Sequence, residues 1–457
     1  MSVGNRRGAE LPGPPGLPVL GNLHQMRGRE FHDLLESWAE RYGPVFAFRV
    51  GSRRVVAVSD PEIAGEILRD RPEGFRRPAA LADVAAELGI DGVFFAEGET
   101  WRRQRQLVLR ALNIHQVNRR FEVIARSCTR LGARLERESR DGVALDPLGP
   151  LTGFTVDVTS ELAFGLDLNV TERGDEGLHT HITAVFEALS RRLTAPVPYW
   201  RFIKLPADRA LDRSLAELES TVTKLVGAAR ERRGGAAREP ADLLESMLEG
   251  ADHGDFSDRE IAANVLTLLL AGEDTTANTM AWALYLLARH PRERERWAAE
   301  ARSVLGDSAS PLGPASLDEL HFGEAVLSEA MRLKSVAPII GLESLLDTEV
   351  GGVAFPAGTR LVILARLANV AGDPRFRPES RLRGGGDPRS SLVFGAGPRF
   401  CPGRNLAFLE AKAAMATIAT GFEFELANPS TAVTEQFGFV MRPRDLQLRM
   451  RSGAGSA

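Results

Sequence analysis

The stretch Phe394-Gly-Ala-Gly-Pro-Arg-Phe-Cys-Pro-Gly403 decides how this chain reads, with the form F-x-x-G-x-R-x-C-x-G. Gly395, Gly397 and Pro398 disfavour a helix ahead of Cys401, because glycine is conformationally loose and proline lacks an amide donor. Directly after Gly403, the run Arg404 to Met415 is rich in Ala and Leu and predicts a helix. Cys401 therefore falls on a glycine-built loop just before a helix N-terminus. Unpaired amides and the helix dipole there favour a thiolate, the form that binds a soft or redox-active metal. A cysteine taken alone is more often an inert buried thiol. The spacing of Phe394, Gly397, Arg399 and Gly403 around this one argues for the metal.

Upstream, Ser257-Asp-Arg-Glu260 is a capping box, with Phe256 and Ile261 placed as a hydrophobic staple. No proline follows until Pro291, which predicts a helix of roughly 33 residues, about 50 Å long. Ile261 to Leu270 is apolar nearly all round, the pattern of a helix buried in a large protein. Ala271-Gly-Glu-Asp-Thr-Thr276 breaks that pattern in mid-helix. Gly272 costs roughly 1 kcal/mol relative to alanine, and Thr275 can bond back to the Ala271 carbonyl. Glu273 is expected on another face from Asp274. Ser316-Leu-Asp-Glu319 is a second capping box and predicts a helix to about Lys334, with Glu329 and Arg332 on one face. That spacing is weak alone, since Glu73/Arg76 and Glu293/Arg296 share it. A basic helix opens at Gly98, and on it Trp101 and Arg105 lie one turn apart.

The chain has 457 residues, 44% hydrophobic and 26% charged, as in ordinary globular proteins. A net charge of -4 gives no reason to expect nucleic acid or an anionic membrane as partner. Cys128 and Cys401 are too few for a disulfide framework. Cys128 sits in a helical-looking run and reads as a small core residue. The N-terminus lacks a signal-peptide pattern, and no run reaches the roughly 18 apolar residues of a membrane span. A cytoplasmic protein without a membrane anchor is expected.

The four motifs together, W-x-x-x-R at Trp101/Arg105, A-G-x-D-T at Ala271 to Thr275, E-x-x-R at Glu329/Arg332 and the cysteine loop, resemble the cytochrome P-450 family in order and spacing. The resemblance covers about Leu11 to Leu446 and is closest to the soluble bacterial type: a proline-rich hinge, Leu11 to Pro18, is present without a preceding anchor. It implies heme b (iron protoporphyrin IX) between the long helix and the cysteine loop, with Cys401 as axial ligand of the iron. Trp101, Arg105 and Arg399 are implied to hold the heme propionates. Ala271, Phe394 and Gly403 complete the cofactor-binding set. Asp274 is the implied proton carrier to dioxygen and Thr275 its hydroxyl partner, the small residues beside them leaving room. Glu329 and Arg332 are the implied structural pair. The family's third member, an arginine in F-x-P-x-R, is Ser380 here, with Arg381 one residue late. Some soluble bacterial relatives carry a propionate-binding arginine near position 342, where this chain has Leu342.

The implied fold is mainly α with a smaller β-rich part near the N-terminus: a mobile segment 1–10, then one heme domain over 11–457. Strands are predicted at Val45 to Val50 and Arg54 to Val58, and again within Val336 to Leu346 and Gly352 to Leu364. Asp60 is expected to cap a helix starting at Pro61. Gly74 to Gly98 reads as a long connection, 384–386 as loop, and Ala195 to Trp200 as a turn that could cover a pocket. Phe94, Phe95, Leu268, Ile339, Ile340 and Phe437 are the expected pocket walls, apolar enough for a lipophilic small molecule such as a secondary metabolite or fatty acid. Dioxygen is the co-substrate. NAD(P)H electrons would arrive through a separate reductase and a ferredoxin or flavodoxin-type donor, since no iron–sulfur segment is present; Arg102 and Arg103 are candidate contacts for it. A peroxygenase or isomerase on the same fold is the rival reading, as is a non-catalytic heme protein. Asp274 with Thr275 speaks against the first, and retention of Cys401 against the second.

Overall fold

The computed structural model describes residues 11–453 apart from 29, 175–176, 196, 235–239, 241, 254–255, 307–312, 371, 383–390 and 431. The expected mobile segment 1–10, the loop at 384–386 and Pro196 of the covering turn lie outside the described residues. One helix, Asp258–Arg289, runs through the centre. Its start is the expected capping box: Ser257 Oγ accepts from the Glu260 amide at 3.2 Å, and Glu260 Oε2 accepts from the Ser257 amide at 3.0 Å. Phe256 and Ile261 are both buried in one cluster, as a staple requires.

Two apolar cores meet on this helix. Ile261, Val265, Leu266 and Leu268 to Leu270 pack with the 84–96 segment and helices Gly98–Ala111, Leu178–Thr194, Pro206–Arg233 and Leu243–Asp252. Ala277 to Leu287 packs with Phe121–Ser139, Leu148–Phe164, His321–Leu333 and Arg404–Gly421. The polar segment 272–276 falls between the two cores.

The β-rich part is a five-stranded mixed sheet in the order Val45–Val50, Arg53–Val58, Arg360–Leu364, Ile339–Ser344, Phe75–Arg76. It is therefore not confined to the N-terminus, as two of its strands come from beyond residue 338. Period-two alternation sorts its side chains: Val56, Val58, Leu361 and Ile363 face helix Pro61–Arg69, whereas Val55, Ala57 and Leu364 face helix Phe31–Tyr42. Asp60 caps the former helix as expected, accepting from the Glu62 and Ile63 amides at 3.0 Å each.

Two expectations need correction. Gly74 to Gly98 holds a strand and a helix, Ala79–Glu87. Ser316 does not start the helix bearing Glu329: Pro314–Asp318 is a separate short helix, and the longer one begins at His321. Its cap is tertiary. Glu300 accepts from the Phe322 and Gly323 amides at 2.7 and 2.9 Å, and a Cβ on Gly323 would lie 1.7 Å from the Trp297 ring. A local motif cannot report a cap supplied from another helix.

Candidate active site

The cysteine loop is built against the end of helix Pro61–Arg69. Gly395 and Gly397 take φ of 73° and 67°, and a Cβ on Gly397 would come within 2.6 Å of the Arg69 Cα, so glycine is required there twice over. The Cys401 amide closes the loop on the Phe394 carbonyl at 2.9 Å, while the Phe394 ring packs on Phe400 and Phe408. The Gly403 and Arg404 amides donate to the Cys401 sulfur. Burial nevertheless raises the thiol above its ordinary value, against the pull of the Gly403 amide and the Arg105 charge. The expected helix-terminal donors are in place, but they do not by themselves yield a thiolate; a metal cation on the sulfur would. Cys128 is a core residue, its thiol pushed up to about 12 by burial.

Beside the loop, helix Gly98–Ala111 buries Trp101, Gln104, Arg105 and Val108, one face at helical spacing. Arg105 Nη2 donates to the Phe400 carbonyl. The Arg399 guanidinium stacks 4.1 Å from the Trp101 ring centroid and donates to the Ala96 carbonyl at 2.8 Å and to the Glu97 carboxylate. Arg71 pairs with Glu97 at 3.4 Å. The Arg77 amide also donates to Glu97, at 3.0 Å, while its side chain donates to the Phe94 carbonyl at 2.7 Å. Two guanidiniums, those of Arg71 and Arg399, thus meet one carboxylate, and the Arg77 and Arg105 charges lie within reach of them. Burial lowers all four: Arg77 well below the usual range and Arg399 to about 9, with the Arg71 and Arg105 charges adding to the latter. Nε of Arg105 and of Arg399, and both amide atoms of Gln104, are buried without a partner among the described residues. Crowded buried cations with orphaned donors call for an anion. Together with an adjoining thiol, they fit a dicarboxylate group that carries a metal.

The long helix opens at the segment the sequence singles out. Ala271 is exposed and Asp274 and Thr275 partly so, between flanks that are buried. Thr275 Oγ1 donates to the Ala271 carbonyl at 2.8 Å, as expected. Side chains of Thr155, Asn278 and Thr279 reach the carbonyls of Glu273, Asp274 and Thr275 at 2.9, 2.8 and 2.8 Å. Glu273 is buried on a different face from Asp274. Gly272 leaves room for a neighbouring helix rather than for dioxygen, since a Cβ there would lie 2.4 Å from Thr159 Oγ1. Beneath the segment, Thr276 donates to Glu410, a fully buried acid raised to about 8 by burial, the Thr276 bond opposing.

Of the expected pocket walls, Phe94 and Phe95 meet edge to face at 4.8 Å and share a core with Leu268. Ile339 and Ile340 alternate on opposite faces of the sheet. Phe437 lies against His32, with ring centroids 5.6 Å apart. The residue that reaches Phe94 is Phe439, at 5.8 Å, which also stacks on Phe186 at 3.9 Å. Leu342 is wholly buried in the sheet core. Arg102 and Arg103 are exposed and paired within the chain, the first with Glu73 and Glu99 and the second with Glu260.

Among the E-x-x-R spacings, Arg76 pairs with Glu343 and Arg296 with Glu379, whereas Arg332 forks onto its own Glu329 at 2.6 and 2.8 Å. Arg381 Nε donates to Glu329 Oε2 at 3.2 Å, reaching the acid despite its shifted position. Arg71, Arg77, Glu97, Gln104, Glu410 and Phe439 were not singled out in the sequence. Only Glu410 left a signal there: it is an acid inside an Ala- and Leu-rich helix.

A family model described as cytochrome P450 matches residues 11–450. The chain is 30% identical to cytochrome P450 71A6 of Nepeta racemosa over 91% of its own length and 88% of that protein's. It is 28% identical to a methyltetrahydroprotoberberine 14-monooxygenase of Papaver somniferum, covering 92% and 86%. With a carnosic acid synthase of Rosmarinus officinalis the identity is 27%, covering 96% and 92%. These relatives are plant proteins and lend no support to a bacterial type; no helix among the described residues is long and apolar enough to cross a membrane. The chain belongs to the cytochrome P450 family of heme-thiolate monooxygenases.

Proposed function

We propose that the substrate is a lipophilic small molecule of secondary metabolism or a fatty acid, oxidised in the cleft beside Ala271, Asp274 and Thr275. The observation that carries this is the exposure of those three residues in the middle of a helix whose flanks are buried. The aromatic cluster of Phe94, Phe95, Phe186 and Phe439 supports an apolar ligand. Relatives named as a methyltetrahydroprotoberberine 14-monooxygenase and a carnosic acid synthase support the same class.

Heme b held here supplies reductive activation of dioxygen. Cys401 gives the iron its thiolate, with the Gly403 and Arg404 amides steadying the charge on sulfur. Phe394 closes the loop over it. Trp101, Arg105 and Arg399 hold the carboxylates of the group, and Arg77 and Gln104 join them. Asp274 carries protons from solvent, and the Thr275 hydroxyl positions their last acceptor. Electrons originate from NAD(P)H and pass through a separate donor of ferredoxin or flavodoxin type. The free thiol of Cys128 fits a reducing, cytoplasmic setting. The test is the absorbance difference spectrum of the reduced protein with carbon monoxide. The strongly red-shifted thiolate band is expected, and Cys401→Ser should abolish it. A histidine-type band in the parent, or no heme uptake, overturns the assignment.

A further inference from the structure

Past the cysteine loop, the Glu435 carboxylate collects three cationic or donor side chains. Glu435 Oε2 accepts from Arg366 Nη1 and from His32 Nε2, the latter at 3.1 Å, while Glu435 Oε1 accepts from Lys334 Nζ. Arg366 is also forked onto Glu36 at 2.8 and 2.6 Å. His32 is wholly buried and Arg366 is buried. His32, Asp33 and Glu435 lie close enough to hold a metal ion, but Lys334 and Arg366 already occupy both Glu435 oxygens, and two positive charges there repel a cation. The cluster is a clamp.

What it clamps is a hairpin. Among the described residues, Thr434–Phe437 pairs in a sheet only with Met441–Arg444, and a lone two-stranded hairpin is at best marginally stable in water. One rung, Glu435 opposite Pro443, lacks a donor on the proline side. The hairpin's second strand is fastened by Met441, whose amide donates to the Val336 carbonyl at 2.9 Å and whose carbonyl accepts from Trp282 Nε1 at 3.3 Å. Its first strand is held by side chains: the Glu435 cluster, the His32 ring against Phe437 and the Glu30 carboxylate on the Phe437 amide at 3.4 Å. At the tip, Phe439 stacks on Phe186 and meets Phe94, four residues along the chain from Glu435.

We propose that Glu435, held by Lys334 and Arg366, is a positioning residue that fixes Phe439 over the cleft and thereby sets which ligand shapes the site accepts. The proposal rests on the heme-thiolate reading. Its test uses the heme-loaded full chain, the Glu435→Gln and Phe439→Ala variants, and two iron-binding probes followed by spectral shift: imidazole and the bulky 1-tritylimidazole. The carbon monoxide spectrum is taken first on every variant, so that failure of the heme-thiolate reading appears there and not in the later comparison. Glu435→Gln should speed hydrogen exchange of amides 436–438 about tenfold while leaving helix 258–289 unchanged. It should also shift the dissociation constant of 1-tritylimidazole about fivefold, in the same direction as Phe439→Ala, with imidazole unmoved. Unaltered hairpin exchange overturns the proposal, as does an equal shift of both probes. Should Glu435→Gln fail to fold, Lys334→Gln removes one arm of the clamp, and a smaller change of the same pattern is required of it.

Discussion

The Thr275 hydroxyl spends its proton on the Ala271 carbonyl at 2.8 Å, leaving its oxygen as an acceptor towards the cleft. Thr275→Ala should lower coupled product formation with a donor protein by about 100-fold and release hydrogen peroxide instead, with Thr275→Ser restoring most of the coupling. Unchanged coupling would remove Thr275 from the proton path. Glu410 gives a prediction in stability. Its pKa rises from 4.5 to about 8 on folding, so the unfolded chain releases a proton that the folded chain keeps. Stability therefore falls as pH climbs from 4.5 to 8, by an amount on the order of 5 kcal/mol at most. Urea unfolding across that window should show the decline, and Glu410→Gln should flatten it. Cys401 and Thr275 were legible in the sequence because each lies in a contiguous pattern with its own helical or loop signature. Arg77 and Glu97 were not, because their significance comes from the Glu97 carboxylate meeting both the Arg77 amide and Arg399, the latter 302 residues away.

Elements show the same division between local and tertiary causes. The long helix was legible from end to end, since its capping box, staple and apolar run are all local. Its interruption was legible too, but the reason for Gly272 was not. That glycine admits helix Leu148–Phe164, whose Thr159 would meet any Cβ at 2.4 Å through Oγ1 and at 2.7 Å through Cγ2. Gly272→Ala should destabilise the fold by about 1–2 kcal/mol, overpacking outweighing the gain in helix propensity. In a Thr159→Ala background the same change should cost much less, because Oγ1 and Cγ2 are gone and only the 3.1 Å approach to the residue 159 Cβ is left. A thermodynamic cycle by urea unfolding measures the coupling; purely additive effects would refute the contact. The start of helix His321–Leu333 shows the opposite case, in which a well-formed sequence motif at Ser316 lost to a carboxylate from another helix.

At the scale of the whole molecule, Glu329 and Arg332 join helix His321–Leu333 to the segment that leads towards the cysteine loop. Arg332 donates to the carbonyls of Asp373 and Arg375 at 2.7 and 2.9 Å, and Glu329 accepts from the Arg377 amide at 3.1 Å. Further on, the Asn369 side chain holds the Leu392 amide at 2.7 Å, two residues before Phe394. The pair is buried, so its members cannot be lost independently. Burial alone would raise Glu329, yet bonds from Arg332 and the Arg377 amide, aided by the Arg332 charge, hold it below its ordinary value. A depressed carboxylate contributes stability that is present above its unfolded pKa and fades as pH falls through the folded one. Glu329→Gln should therefore cost about 3–5 kcal/mol near neutrality, as expected when one member of a buried pair is left without its charge partner, and should make the acid limb of the stability profile shallower. Arg381 touches the same carboxylate by a single 3.2 Å bond from a side chain 26% exposed, so Arg381→Ala should cost only about 1 kcal/mol. Heme content and urea midpoints of the two variants decide the matter. Equal losses would mean that Arg381 is a full third member of the triad, and a near-native Glu329→Gln would mean that the junction is held by packing instead.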